Sequence, residues 1–138
     1  MKRILSIITA AVLIISLASC ALFAKDGDLW ADAIYTENTS FGEGATEFEL
    51  EVIAKDKSVT FTVRTDKTYL ADALTEHKLI SGDEGPYGLY VKYVNGIKAD
   101  YDENQAYWSL TENGNYVSTG VSYVEITAGA HYEFTYAK

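Results

Sequence analysis

Cysteine and histidine are both scarce in this sequence. The 138 residues include one cysteine, Cys20, so the chain cannot form an internal disulfide and a folded domain must be stabilised by core packing alone. The two histidines, His77 and His131, occupy unrelated positions, one in a predicted helix and one at the start of the last predicted strand. Two histidines placed in this way do not predict a zinc site, and we assign no metal ligand from the sequence.

Motifs that carry common enzyme chemistry are also missing. The chain contains no Gly-x-Ser-x-Gly sequence, no phosphate-binding glycine loop and no second cysteine that could act as a nucleophile. Its carboxylates are numerous, but nothing in the sequence singles out a pair for acid–base catalysis. We therefore predict a protein that binds rather than catalyses, with no catalytic residue. A hydrolase that uses two carboxylates is an alternative.

Positive charge is in short supply as well. The chain has 11 Lys and Arg residues against 20 Asp and Glu residues, which gives a formal net charge of −9 at pH 7. Removal of residues 1–19 would take away two basic residues and no acidic one, and would leave a net charge of −11. A surface of this negative charge repels nucleic acid and anionic lipid headgroups. We therefore expect neither as a partner.

The first 20 residues resemble the start of a bacterial lipoprotein. Two basic residues precede an uncharged apolar run, residues 4–17. This run is too short to cross a bilayer of roughly 30 Å, because a spanning helix needs about 20 residues. It leads into Leu17-Ala18-Ser19-Cys20, which is similar to the lipobox whose cysteine is diacylated and becomes N-terminal after cleavage.

This start predicts how the protein is processed and where it is found. We expect a signal peptide over residues 1–19, lipidation at Cys20 and a lipid-anchored tether over residues 20–28. The folded part of the chain then lies on the extracytoplasmic face of the cell membrane. The alternative is a secreted protein that is cut at another small-residue site, with Cys20 incidental.

The rest of the chain shows strand and helix periodicity in turn. Apolar residues recur at every second position over residues 48–52 and 59–63, which predicts a hairpin of two half-buried strands. Residues 69–77 change to helical spacing, with Asp66 or Thr68 placed to cap the helix.

Strand periodicity returns after the helix, in segments that short turns connect, two of them Asn-Gly turns. The predicted fold class is therefore α+β: a β-grasp-like roll with an N-terminal hairpin, one helix and then several antiparallel strands. The later strand segments are residues 87–93, 107–110, 115–117, 121–126 and 132–136.

Several stretches of the sequence resemble the transcobalamin-like C-terminal domain family, which includes domains of animal cobalamin carriers and many bacterial lipoproteins. The resemblance covers residues 29–138 and implies a soluble-ligand-binding β-grasp domain. In the animal proteins this domain covers one face of cobalamin, while a larger helical domain holds the other face. The stretches are Gly88–Ile97, Ala106–Leu110, Gly120–Ser122 and Ala130–Tyr136, with Trp30–Ala33 and Gly42–Ala45 typical of the bacterial members.

The resemblance also implies where a ligand would bind. The part of the family that lies on the ligand matches residues 107–110 and the hairpin after them. On a strand, Tyr107 and Trp108 point to opposite faces, so one of them is expected in the core and the other is free to cover a planar ligand. The candidate ligand-binding residues are Tyr107, Trp108, Leu110, Asn95, Gly96 and Tyr116.

Two functions follow from these observations. The leading one is a cell-surface lipoprotein that binds a soluble small molecule, such as cobalamin or another corrinoid, and delivers it to a transporter, with no covalently bound cofactor. The alternative is a non-catalytic surface interaction module that binds another exported protein or a cell-wall polymer.

One acidic segment has the beginning of a calcium-loop pattern. Asp100, Asp102 and Asn104 have the spacing of the first ligands, but the loop would need glycine and glutamate where Gln105 and Thr111 stand. We therefore expect a solvated acidic loop here and no calcium site.

Overall fold

The structure is a computed structural model that describes residues 28–138. The predicted signal peptide, Cys20 and the predicted tether up to residue 27 lie outside the described residues. Residues Asp32–Lys138 form one compact unit. Within the described part of the chain, every helix is too short or too polar to cross a membrane.

The N-terminal hairpin forms as predicted. Strands β2 (Thr46–Ala54) and β3 (Lys57–Thr65) pair antiparallel over their whole length, from Thr46 opposite Thr65 to Ala54 opposite Lys57. Alternate residues of both strands are buried, which is the pattern of a sheet with one face on the core. A short strand that was not predicted, β1 (Thr39–Phe41), runs parallel to β3 at the edge of the same sheet.

The predicted helix is present as α1 (Leu70–Glu76), and its apolar stripe of Leu70, Ala73 and Leu74 is fully buried. The predicted caps are wrong. Tyr69 occupies the N-cap position without a side-chain hydrogen bond. Asp66 instead accepts a hydrogen bond from the backbone N–H of Ala45, so its carboxylate serves a loop contact rather than the helix.

The segment after α1 contains a strand that the sequence did not predict. Strand β4 (Ile80–Gly85) pairs antiparallel with β5 (Gly88–Val94), and β5 pairs with β6 (Ile97–Lys98) through an Asn95–Gly96 turn. Residues 81–85 are polar or glycine and all exposed, so no alternation marks them as a strand. Pairing with β5 determines their conformation.

The C-terminal part of the chain contributes strands β7 (Tyr107–Glu112), β8 (Asn115–Tyr116) and β9 (His131–Ala137). They belong to the larger sheet, which has six strands in the order β1-β3-β2-β9-β7-β8, and the smaller sheet has the order β4-β5-β6. Strand β9 is antiparallel to β7 but parallel to β2. The fold of residues 28–138 is therefore α+β and consists mostly of strands, with one α-helix of seven residues and a single-turn α-helix, α2 (Tyr101–Asn104).

One predicted strand segment is wrong. Residues 121–126 form a short 3-10 turn, Val121–Tyr123, followed by a single bridge between Glu125 and Tyr69. The turn is held by the Ser122 hydroxyl, which accepts a hydrogen bond from the N–H of Leu89 in β5 at 3.0 Å. The segment therefore packs against the smaller sheet instead of adding a strand to the larger one.

Candidate functional site

A cleft of about 400 Å³ opens between the two sheets, and we call it the aromatic cleft. One wall is residues 89–91 of β5 and the other is residues 107–110 of β7, with Phe134 of β9 at the base and residues 116–121 completing the rim. This volume lies within the range of about 300–1,000 Å³ that is usual for small-molecule sites. Four of the six predicted ligand-binding residues line it: Tyr107, Trp108, Leu110 and Tyr116.

Tyr107 and Trp108 have opposite environments, as their positions on one strand predict. Trp108 is 8% exposed and belongs to the core, where its ring packs edge-on against Phe134 and Tyr136 at centroid distances of 6.5 Å and 5.6 Å. Tyr107 is 45% exposed. Tyr116, at the edge of the sheet in β8, is exposed to 72%. The cleft therefore combines one buried ring with rings at its rim that water can reach.

The lining of the aromatic cleft carries no formal charge among the described residues. Apolar side chains and aromatic rings alternate with hydroxyl groups in this lining. In a chain of net charge −9, an uncharged concave surface is suited to stacking on a flat ring and to hydrogen bonding its polar substituents. The residues with hydroxyl groups are Tyr90, Tyr107, Ser109, Tyr116, Ser118 and Thr119.

The structure does not bring the other two predicted residues, Asn95 and Gly96, to the cleft. Asn95 is completely buried, and its side-chain amide exchanges two hydrogen bonds with the backbone of Tyr35, at 2.9 Å and 2.8 Å. Both turn residues have positive φ, 52° and 80°, as a tight Asn-Gly hairpin turn requires. The geometry gives this turn a structural role. The sequence alone could not show whether the turn is buried in this way or exposed to a ligand.

The expected acidic loop is a helical turn, and its first residue is not solvated. Asp100 is 7% exposed, and its carboxylate caps α2 by accepting a hydrogen bond from the Asp102 N–H. Lys92 places its ammonium 3.4 Å from this carboxylate and 2.7 Å from that of Asp83. Burial alone would raise the pKa of Asp100, but the hydrogen bond from the Asp102 N–H and the charge of Lys92 outweigh burial, so the pKa is lowered. The hydrogen bond to Asp83 raises the pKa of Lys92 to about 12.

A second cluster of ionisable side chains lies on the face of the larger sheet that points away from the core. We call Glu49, Glu51, His131 and Glu133 the His131 cluster. The imidazole Nδ1 lies 3.0 Å from Glu49, and Nε2 lies 3.0 Å from Glu51 and 3.4 Å from Glu133. Partial burial lowers the pKa of His131, but the hydrogen bonds to Glu49 and Glu51 outweigh this effect, and the pKa is raised above 6.5.

Sequence reasoning missed this cluster, although part of its signal is visible. Glu49 and Glu51 share one face of β2, and His131 and Glu133 share one face of β9, because each pair is two residues apart. What the sequence does not show is that β2 and β9 are neighbours, with Glu49 opposite His131 and Glu51 opposite Glu133.

Residues 67–138 match a protein family described as "Domain of unknown function (DUF4430)". The chain belongs to this family. The DUF4430 match extends from just before α1 to the end of the chain and so includes every residue that lines the aromatic cleft. No curated protein matches the chain.

The solved structures that are similar to this DUF4430 protein include the following two. One is a Ruminococcus gnavus ATCC 29149 protein proposed to bind metal, with a TM-score of 0.64 and 29% identity over 68% of this chain and 98% of that chain. The other is haptocorrin in complex with Cbi, with a TM-score of 0.52 and 20% identity over 71% of this chain and 26% of that chain. The second similarity is one of fold, and it agrees at that level with the resemblance to transcobalamin-like domains.

Proposed function

We propose that the chain is a non-catalytic, lipid-anchored surface protein whose domain, residues 29–138, binds a soluble small molecule in the aromatic cleft. The observation that carries this proposal is the convergence of Tyr107, Trp108, Leu110 and Tyr116 on one uncharged cleft of suitable volume. A signal peptide over residues 1–19 and lipidation at Cys20 complete the proposal and place the domain on the extracytoplasmic face of the cell membrane.

The strand order supports a β-grasp-like roll for this domain. The β2–β3 hairpin is followed by α1, and the last strand, β9, returns to lie parallel to β2 between the hairpin and β7. The transcobalamin-like resemblance implies this arrangement, in which a helix follows a hairpin and packs on one face of a mixed sheet.

A corrinoid is the ligand class that we propose first. The fold is similar to part of haptocorrin, which binds Cbi, and a cleft with rings at its base and rim can cover one side of a flat ring system. The bound ligand would be held without a covalent bond. Because one open cleft contacts only one face of such a ligand, affinity should be on the order of micromolar or weaker unless a partner, such as a transporter, covers the other face.

Calorimetry and visible spectroscopy test this proposal. The full chain in detergent is titrated with cobalamin, with cobinamide and with unrelated ring compounds. Tyr107→Ala and Tyr116→Ala should each weaken corrinoid binding several-fold, because each removes an aromatic surface from the rim. Tyr101→Ala is the matched control, since Tyr101 is 58% exposed but lies on α2, outside the cleft. Equal effects of all three changes, or no heat and no spectral change at millimolar ligand, would contradict the proposal.

The interaction module remains the alternative, and one observation favours it. Several tyrosines project from the domain surface, of which Tyr87 is 84% exposed and Tyr123 is 59% exposed. Exposed tyrosines are common contacts in protein and polymer recognition. Binding of a cell-wall polymer or an exported protein that Tyr87→Ala abolishes and Tyr107→Ala leaves unchanged would favour this alternative.

A metal ion is a second ligand class that the domain could bind. The similar Ruminococcus gnavus protein is proposed to bind metal. In this chain, Glu51, His131 and Glu133 offer three ligand atoms that lie within 4.8 Å of one another.

A further inference from the structure

We propose that Glu51, His131 and Glu133 bind one divalent cation of the zinc class, with Glu49 as the residue that positions the imidazole. This inference rests on the metal-binding part of the proposed function and is independent of the aromatic cleft. The four residues lie on β2 and β9, on the side of the sheet opposite the core.

The sheet register holds the donors in place. Strands β2 and β9 are hydrogen-bonded neighbours, so the pairs Glu49–His131 and Glu51–Glu133 stand side by side at one strand spacing. The core residues between them, Leu50 and Tyr132, are completely buried and fix the two backbones. A site on two central strands of a sheet is pre-organised to a degree that a loop site is not.

The distances between the donors fit a zinc ion. Ligand atoms about 2.1 Å from a tetrahedral zinc lie roughly 3.4 Å from one another. Nε2 of His131 lies 3.0 Å from Oε1 of Glu51 and 3.4 Å from Oε1 of Glu133. These two distances need change by only a few tenths of an ångström for a cation to bind, and all three donor atoms lie within 4.8 Å of one another. The remaining coordination position would be open to water.

The role of Glu49 follows from the two ring nitrogens. Its Oε2 lies 3.0 Å from Nδ1, where it can accept the Nδ1–H hydrogen bond. This leaves Nε2 directed at the carboxylates of Glu51 and Glu133. A single N–H at Nε2 can donate a good hydrogen bond to only one of these two carboxylates. Metal-binding histidines usually donate their other N–H to a carboxylate in this way, which fixes the ring and the nitrogen that binds.

The charge balance favours a cation at the same place. The carboxylates of Glu49, Glu51 and Glu133 share His131 as their basic partner, so three formal negative charges face at most one positive charge. The Thr111 hydroxyl, 3.4 Å from the other oxygen of Glu133, adds a hydrogen bond but no charge. A divalent ion in place of one proton reduces this excess, and a nitrogen with two carboxylate oxygens suits zinc better than calcium or magnesium.

Calorimetry with zinc chloride on the chelator-treated full chain in detergent tests the inference. We expect one zinc per chain. Glu51→Gln and Glu133→Gln should each weaken binding at least tenfold, and Glu49→Gln should weaken it roughly tenfold through the ring orientation. Glu47→Gln is the matched control: it lies on the same face of β2 but pairs with Arg64, and it should leave zinc affinity unchanged. Cys20→Ser, which removes the single cysteine of the sequence, should also leave zinc affinity unchanged.

Nuclear magnetic resonance supplies a second readout, because the chain has only two histidines. Zinc should shift the ring signals of His131 and leave those of His77 in place. Absence of zinc binding, equal affinity of Glu51→Gln and the unaltered chain, or a shift confined to His77 would overturn the inference. Circular dichroism confirms that each variant is folded, and corrinoid titration of the same variants reports on the cleft separately, so failure of one site is not mistaken for failure of the other.

Discussion

The indole Nε1 of Trp108 donates a hydrogen bond of 3.2 Å to the backbone carbonyl of Lys92. Trp108 lies on β7 of the larger sheet and Lys92 on β5 of the smaller sheet, so this bond joins the two walls of the aromatic cleft. Because the ring is also packed edge-on against Phe134, the side chain that forms part of the cleft also holds its two sides together.

Trp108→Phe should therefore destabilise the domain and weaken ligand binding together. The change removes one hydrogen bond and part of a buried ring, and the Lys92 carbonyl keeps its bond from the Ala99 N–H. We expect a loss of about 1–3 kcal/mol in the free energy of unfolding, measured by urea denaturation. Tyr107→Phe on the same strand should cost under about 0.5 kcal/mol, and a similar loss for both would contradict the distinction.

Asn95→Ala should be strongly destabilising although the residue is outside the cleft. It removes both hydrogen bonds to the Tyr35 backbone in a completely buried site, and it places alanine at a φ of 52°. We expect a loss of about 2–4 kcal/mol, with ligand affinity of the folded fraction unchanged.

Asn113→Ala is the matched control for this prediction. Asn113 begins the other Asn-Gly turn at a φ of 50°, but it is exposed and gives up a single hydrogen bond, from the His131 N–H. Its cost in unfolding free energy should be clearly smaller. A cost as large as that of Asn95→Ala would mean that backbone strain, and not the buried amide, determines the effect.

Local periodicity accounts for the parts of the fold that the sequence predicted. The β2–β3 hairpin and α1 each have an apolar face that repeats with the period of the element, and both formed where expected. Strand β4 was missed because residues 81–85 have no apolar face at all. Its conformation comes from the ladder with β5, which is a tertiary effect.

Of the two candidate sites, the sequence predicted residues of the aromatic cleft but not the His131 cluster. The aromatic residues of β7 could be singled out because strand alternation and a family resemblance both apply to them. The His131 cluster joins residues 80 to 82 positions apart in the chain, and only the parallel pairing of β2 with β9 brings them together. The burial of Asn95 was equally hidden, because an Asn-Gly turn has the same sequence whether it is exposed or covered.

Stability should fall in acid in a way that depends on Asp100. Its pKa is lowered below 3.8 in the folded state, so its contribution is present above that value and is lost as the pH falls through the folded pKa. Asp100→Asn should make the unfolding free energy less dependent on pH below about 4 than in the unaltered chain. Asp56→Asn, at the exposed β2–β3 turn, is the control, and an equal change in slope for both variants would refute the role of Asp100.

Membrane attachment should depend on Cys20. The unaltered protein should partition into the detergent phase, and its mass should lack residues 1–19 and include the acyl chains. Cys20→Ala should remove the acyl anchor and move the mature domain to the aqueous phase, because a chain of net charge −11 is repelled by anionic lipid. A Cys20→Ala protein of full mature size that stays in the detergent phase would disprove lipid anchoring.

The shape of the aromatic cleft should depend on Gly120, at the point where the rim approaches the smaller sheet. A Cβ atom at Gly120 would lie 2.8 Å from the backbone carbonyl oxygen of Tyr87, so alanine must push residues 117–121 away from the start of β5. Gly120→Ala should therefore weaken ligand binding several-fold while the core, and with it most of the unfolding free energy, is retained. Gly85→Ala is the matched control, because a Cβ there meets nothing closer than 3.8 Å. Calorimetry on both variants decides the matter: equal ligand affinities would show that the rim does not contribute to binding.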